Sequence, residues 1–599
     1  MANYYEKIRI KTATEGTHKR TMKADTDTSI DFGQFYPIRA KIIEVGEGKI
    51  RPWTLSNMMP LPQPTFGEVR YTNRIFAVPI WQIFKGYEDY RQDVIHVTAD
   101  DSSTSLQYLP YTYKQDMMRS IVSLASPSTL GNKDFTVDDN GTLRYFKHTE
   151  ISAWWVKVLE SLGYKFLWRI NYSGLDLWNN ILRLLAALKV YSDYYYNKAY
   201  RGDTEDLAMR QFFERDNGNL YYDANDLVTM ARTMHKFYYN MDYFTSAWDN
   251  PNTPNITNQQ TNFNILDPNT YNVNLGSGTQ SNNRASVTNP NGKDPIIATD
   301  NNSITTGTDG RVGGPITNYM VKMLDKLTQF LKRNQLAGGD TLSRFLARYG
   351  RTNEDLMRKK ARLIGSISWS MQVTPITSTS DTAASGGEVL GSYAGQGFAV
   401  SKEQEFSYNA SEDSIIVDIL TVTPIEKYVD GEDRENLIIT KTELLTPEFD
   451  NLGTEPVFAA ELVCPRSQGV ATDSNNLYSK IFGFLPRYAY WKTMKDHIAG
   501  NYTNQFSQIY LPYTMVRRID DNQAINSIAH SKSFTRMEDS DQYDRIFYGQ
   551  PTDKDPIDNI NIHHELTIEW YSYAKPLYDN YDWEHEGGRE IEIQNQGNM

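Results

Sequence analysis

From Asp31 to Trp81, apolar and polar residues alternate in short β-branched and aromatic runs. They read DFGQFYPIRAKIIEV, then KIRPWTLSNM after the Gly46-Glu47-Gly48 turn, then GEVRYTNRIFAVPIW after a corner carrying Pro60, Pro62 and Pro64. A period of two broken by Gly and Pro predicts antiparallel strands joined by corners. The same pattern returns after Ile367 in SISWSMQVTPITSTS, GGEVLGSYAGQGFAVS, SIIVDILTVTP, FDNLGTEPVFAAELV and HHELTIEWYSYAKPL. In between, the period lengthens to that of a helix. ISAWWVKVLESLG is one such stretch, and GLDLWNNILRLLAALKVYSDYYYNKAY places Leu175, Trp178, Ile181, Leu182, Leu185 and Leu188 on one face. Further on, Asp340 stands as the cap of TLSRFLARYG, whose Leu342, Phe345, Leu346 and Tyr349 share a face. A strand scaffold begun early and completed far downstream describes one jelly roll interrupted by a large helical excursion, rather than a string of separate domains.

The chain divides accordingly into a basic N-terminal arm (1–30), the first jelly-roll strands (31–84) and a helical insertion (85–249). A surface loop insertion rich in Asn, Thr and Gly (250–314), a basic helical segment (315–364) and the remaining strands with the C-terminal segment (365–599) follow. The loop insertion holds 15 Asn in 65 residues and only Phe263 and Tyr271 as aromatics, so it cannot bury a core of its own.

Charge changes this picture locally. With 61 basic and 74 acidic residues the net charge is −13, which argues against a surface that binds nucleic acid as a whole. Two stretches run the other way. Residues 1–23 carry six cations against Glu6 and Glu15, and Lys322 to Arg362 carries eleven Lys or Arg against four acids. Each reads either as a solvated face or as a surface that meets phosphate. A single cysteine, Cys464, excludes an intrachain disulfide framework and a multi-cysteine zinc site, and fits a reducing compartment. MANYYEKIRIKTATEG lacks the apolar stretch of a secretory signal, and no apolar run is long enough to span a bilayer, so a soluble protein is expected. Nucleotide, hydrolase and zinc-protease motifs are absent. His563-His564-Glu565 lacks the second histidine one turn on and reads as ordinary polar residues before a strand. No catalytic residue, cofactor or metal is expected.

The segment Ile481 to Tyr502, IFGFLPRYAYWKTMKDHIAGNY, interleaves rings with cations: Phe482, Phe484, Arg487, Tyr488, Tyr490 and Trp491. Such residues suit either an amphipathic core element or a contact surface. The segment resembles the FGYQERYAEYR stretch of microvirus major capsid proteins, in particular the gokushovirus-like branch, with Phe482, Gly483, Arg487, Tyr488 and Ala489 in matching places. Asp31-Phe32-Gly33 with Pro37, and Phe76-Ala77-Val78-Pro79 with Trp81, fit the family's early strands. Phe449, Asn451, Leu452, Gly453, Glu455, Pro456 and Val457 follow its FANLGEQPV segment. Leu485-Pro486 departs from the family's Gln-Glu.

The resemblance implies a mainly β protein, an eight-stranded antiparallel jelly roll of viral capsid type with large α-helical and loop insertions. It implies a structural role: about sixty copies self-assembling into a T=1 shell around a circular single-stranded DNA genome. The expected location is the virion, after assembly in the host bacterial cytoplasm. Expected partners are further copies of the chain, the genome, minor capsid, pilot or scaffolding proteins, and a host surface receptor met through the loop insertion, with no membrane. On that reading Phe482, Phe484, Arg487, Tyr488, Tyr490 and Trp491 form a subunit interface. Lys7, Arg9, Lys11, Lys19, Arg20, Arg358, Lys359, Lys360 and Arg362 face DNA. The alternative is a jelly-roll carbohydrate-binding or host-attachment protein.

Overall fold

The computed structural model describes residues 17–59, 61, 65–92, 95–97, 103–105, 108–125, 149–165, 177–197, 202–215, 220–235, 237–239, 241–248, 272–274, 286–288, 296–297, 322, 325–327, 329–330, 333, 341–351, 357–377, 393–428, 431–441, 443–450, 453–462, 480–503, 510, 513–517, 536–537 and 558–574. The main sheet has nine strands. They are β1 (His18–Ile30), β2 (Tyr36–Ile43), β3 (Gly46–Met58), β4 (Val69–Pro79), β5 (Arg362–Thr377), β6 (Tyr393–Val400), β7 (Phe406–Ala410), β8 (Ser414–Pro424) and β9 (Ile560–Ser572). They hydrogen-bond in the order β1-β9-β3-β6-β5-β4-β8-β2, with β7 also on β3, and every pairing is antiparallel.

This path makes two leaves. One holds β1, β9, β3 and β7, and the other β5, β4, β8 and β2, while the far half of β5 continues along β6 and joins them. Ile50, Tyr408, Leu566, Ile568 and Trp570 from the first leaf pack with Ile75, Ala77 and Ile416 from the second, so the leaves face each other across a shared core. Long-range pairs join early strands to late ones: β1 to β9, β2 to β8, β3 to β7 and β4 to β5. Residues 80–361 therefore form one connection whose ends already lie side by side, since Arg362 pairs with Ala77. An excursion of any length can be inserted there without moving the strands, because loop closure grows only slowly with length.

The excursion covers the outer face of the second leaf. Helices α1 (Lys114–Ala125), α2 (Glu150–Ser161), α3 (Leu182–Val190), α4 (Thr204–Phe213) and α5 (Ala224–Met234) share one core with β2, β4 and β8. All eleven residues of β8 are buried for that reason. Ile415 and Val417 face the helices while Ile416 faces the sandwich interior, as in a strand covered on both sides, and the polar Asp418, Thr421 and Thr423 are buried along with them. Thr149 and Ser152 cap α2 reciprocally. The two tryptophans of α2 are fully buried with their indole N–H groups satisfied: Trp154 donates to Phe35 O and Trp155 to Ser120 Oγ, both at 3.0 Å.

Three expectations change. Residues 18–30 of the basic arm are a strand, because β1 finds a partner along the whole of β9. Trp178 does not share the helical face: Trp178–Asn180 is a short strand on Tyr111–Tyr113 with the indole exposed, and Leu175 lies outside the described residues. Nor is α3 one-faced, since Leu182, Leu184, Leu185, Ala186, Ala187, Leu188 and Val190 are all buried between the sheet and other helices. Of the loop insertion, three short strands, Asn272–Asn274, Ser286–Thr288 and Ile296–Ile297, are described.

Candidate assembly and nucleic-acid surfaces

A small lobe gathers around the segment rich in rings and cations. Ile481–Pro486 pairs with Thr454–Phe458, and Phe484 exchanges both backbone hydrogen bonds with Trp248 at 2.7 Å. Phe482 and Leu485 pack with Phe244, Ala247, Val457 and Leu462 in a core of their own. Tyr488, in the left-handed region at φ 63°, is fully buried, and its N–H donates to Glu455 Oε2 at 3.1 Å. Tyr490 is buried with its hydroxyl on Glu443 O, and Arg487 lies 5.0 Å over the Phe449 ring.

The lobe's interior is charged as well as aromatic. Glu461 is buried, accepting from the Phe458 N–H at 2.9 Å and the Tyr243 hydroxyl at 3.1 Å, with Arg434 at 3.5 Å and Lys495 at 3.7 Å. Burial raises the Glu461 carboxyl and lowers the Lys495 ammonium despite their pairing. Where β8 enters the lobe, burial pushes the Glu426 carboxyl up to about 8, with Asp242 adding to the rise and Arg517, 3.7 Å away, opposing it.

Most of the rings expected at a subunit interface are thus spent inside their own subunit. Phe482, Tyr488 and Tyr490 are core residues, and of the proposed set only Trp491 is classed as exposed. The apolar surface beside Trp491 comes from residues 439–449, of which only Phe449 stands out in the sequence, and there through the family resemblance. Ile439, Leu444, Leu445 and Phe449 are exposed, and Trp491 Nε1 donates to Glu443 O at 3.3 Å in their midst. Clustered Leu, Ile and Phe in an aperiodic stretch was the available signal.

The basic residues proposed to face DNA divide into separate groups. Lys7, Arg9 and Lys11 lie outside the described residues. Lys19 pairs with Glu569 at 3.0 Å on the outer face of β1 and β9, and Arg20 pairs with Glu44. Lys23–Glu565, Lys49–Glu405 and Arg51–Glu569 continue the ladder, so the cations on that face are balanced by carboxylates. Arg358, Lys359, Lys360 and Arg362 do come together, at the start of β5. Gln82 donates to the carbonyls of Arg358 and Lys360 and holds this turn against the Ile80–Gln82 helical turn.

His564 corrects the reading of its motif. It is fully buried between the leaves: Nε2 lies 2.9 Å from Asp418 Oδ2, and Nδ1 lies 2.9 Å from Thr54 Oγ1. Asn73 Nδ2 donates to Asp418 Oδ1 at 2.5 Å. Thr54, His564 and Asp418 together have the composition of a nucleophilic triad, yet all are closed to substrate and tie one leaf to the other. Among the described residues no group of three or more His, Cys, Asp or Glu is placed to hold a metal, and no helix is long and apolar enough to cross a membrane.

A β-sandwich whose inserted lobes present apolar and basic surfaces is the build of a structural protein that works through contact. Residues 177–554, more than half of the chain, match the family described as Capsid protein (F protein). The chain belongs to that family, the major capsid proteins of the Microviridae, and is a structural component of a phage virion. No curated protein matches it.

Proposed function

We propose that about sixty copies of this chain form a T=1 icosahedral shell around a circular single-stranded DNA genome. The strand order supports this reading most directly. Setting β6 aside, eight strands remain, and the first pairs with the eighth, the second with the seventh, the third with the sixth and the fourth with the fifth. This order is what a wrapped antiparallel hairpin would give, and supports reading the sandwich as an eight-stranded jelly roll, a fold of capsid domains. Its connections leave the sandwich at its ends, where they are available to meet neighbouring copies. The apolar surface around Trp491, Leu444 and Leu445 supplies one such contact. The role is architectural, without catalysis or cofactor, and assembly takes place in the host cytoplasm with any minor capsid, pilot or scaffolding proteins. On this reading the loop insertion 250–314 is the part of the chain that recognises a host receptor.

Imaging and sedimentation of native particles test this. About sixty copies of 68.8 kDa give a shell of about 4 MDa with five-fold vertices. A monomer or small ring as the only native species would refute it.

A further inference from the structure

At the start of β5 the basic turn borders a cleft of about 690 Å³, in which cations, aromatic rings and apolar side chains meet. Arg358 and Arg362 line it together with Lys360, while Lys359 is exposed beside them. Glu412 lines the cleft, accepting from Arg358 at 2.6 Å and from the Trp81 indole N–H. Arg358, Lys359, Lys360 and Arg362 outnumber Glu412 and Asp193, the latter accepting from the Ala361 N–H at 2.9 Å and already paired with Lys189, so the site is locally positive in a chain of net charge −13.

The rings are held in place. Trp81 is anchored through Glu412, and the Tyr194 hydroxyl donates to Ala361 O at 2.6 Å while its ring remains 40% exposed. Lys360 Nζ lies 5.9 Å from the centre of that ring. Met357 and Leu363 lie about half exposed in the same cleft. Anchored aromatic faces and apolar surface next to several cations suit a ligand that is both a polyanion and a carrier of flat apolar rings. Single-stranded nucleic acid is such a ligand, whereas a duplex keeps its bases stacked inside.

We infer that this cleft holds the genome strand by stacking at least one unpaired base on Tyr194 or Trp81, with the flanking phosphates on Arg358, Lys359 and Arg362. The inference rests on the reading of the protein as the shell of a single-stranded DNA genome, and adds where and by what chemistry the strand is held. Stacking is indifferent to base identity, so binding at this site tolerates any sequence and discriminates against duplex.

The test titrates full-length protein into a fluorescein-labelled dT20 oligonucleotide by anisotropy, from 50 to 300 mM NaCl, and cross-links a 5-iodouracil version by light. Arg358→Gln with Arg362→Gln should weaken binding about tenfold or more at low salt and reduce the salt slope by about 1.4, the share of two phosphate contacts on a single strand. Tyr194→Leu should cost about tenfold, while Tyr194→Phe, which keeps the ring, should bind as the parent does. The cross-linked peptides should contain Tyr194 or Trp81, a readout that needs no variant to fold. Wild-type binding with unchanged affinity in the Arg variants and cross-links elsewhere overturns the cleft but leaves the genome reading standing. Equal competition by a duplex of the same length overturns stacking. Variants that bind dT20 normally but no longer form particles make the cleft a seam between copies and overturn the inference. Failure of the wild-type protein to bind dT20 at 50 mM NaCl overturns both this inference and the reading beneath it.

Discussion

His564→Leu removes the ring that carries Asp418 across the gap between the two leaves. In the parent the Asp418 carboxylate, fully buried, accepts from His564 on β9 and Asn73 on β4, while Thr54 on β3 holds the other ring nitrogen. Without the imidazole the carboxylate is left with one of its two side-chain donors and no path to water. Stranding a buried carboxylate by removing one of its partners costs roughly 3–5 kcal/mol. The stranded Thr54 hydroxyl adds about 1 kcal/mol. Leucine returns about 1–2 kcal/mol through its own burial. The net loss is about 2–5 kcal/mol. The double variant His564→Leu with Asp418→Leu should lose less than His564→Leu alone, about 1–2 kcal/mol, because only neutral polar groups are then unpartnered. Urea unfolding of the unassembled subunit, followed by tryptophan fluorescence, reads both values, since Trp570 lies in the same interior. A single variant that loses under about 1 kcal/mol, or a double variant that loses the sum of the two singles, would refute the argument that the network joins the leaves.

Three further outcomes are expected. The Glu426 carboxyl sits at about 8 against its ordinary value of 4.5, so the folded state keeps a proton that the unfolded chain releases between those values. Stability therefore falls as pH rises through that window, by up to roughly 4–5 kcal/mol, and levels off above about pH 8. Glu426→Gln should flatten that part of the profile, and melting curves from pH 5 to 9 that keep the parent's slope would contradict the assignment. Trp491→Ala with Leu444→Ser should change subunit stability by no more than about 1 kcal/mol yet sharply reduce particle yield in sedimentation, because the exposed side chains contribute at a contact rather than in the core. Normal particle yield would remove this surface from the assembly reading. Deleting Asn255 to Ile304 should leave particles intact while altering host attachment, and loss of all soluble folded protein would show that the segment carries core structure.

How much was readable in advance depended on whether a feature is local. The strands on both sides of the insertion followed from period-two alternation bounded by Gly and Pro, and α2 from the helical period of ISAWWVKVLESLG. SIIVDILTVTP was readable as a strand, but that both its faces are covered follows only from the helices on one side and the opposite leaf on the other. Resemblance in a few collinear segments was enough to point to the family. Side-chain allegiance was not readable. Phe482, Tyr488 and Tyr490 are of the residue types that build interfaces, but the same rings build cores. Only contacts between distant segments turned them inward: the pairing of Ile481–Pro486 with Thr454–Phe458 for Phe482, the Glu455 carboxylate on the Tyr488 N–H, and Glu443 O on the Tyr490 hydroxyl.

The same limit explains the charges. Composition marks residues 1–23 and 322–362 alike as basic, yet in the first stretch the register of β1 on β9 sets Lys19 and Lys23 near Glu569 and Glu565. In the second, the fold brings Tyr194, Trp81 and Glu412 from three distant segments to the same turn. His564 looked like ordinary surface polarity because its partners lie 146 and 510 positions away in the chain. Local pattern was enough for most of the strands and helices, for the interrupted plan of the sandwich and for the family, though not for β1 or the Trp178–Asn180 strand. Tertiary structure decided which rings are core, which cations are already neutralised and which histidine is buried, because each depends on pairing between residues that no local period relates.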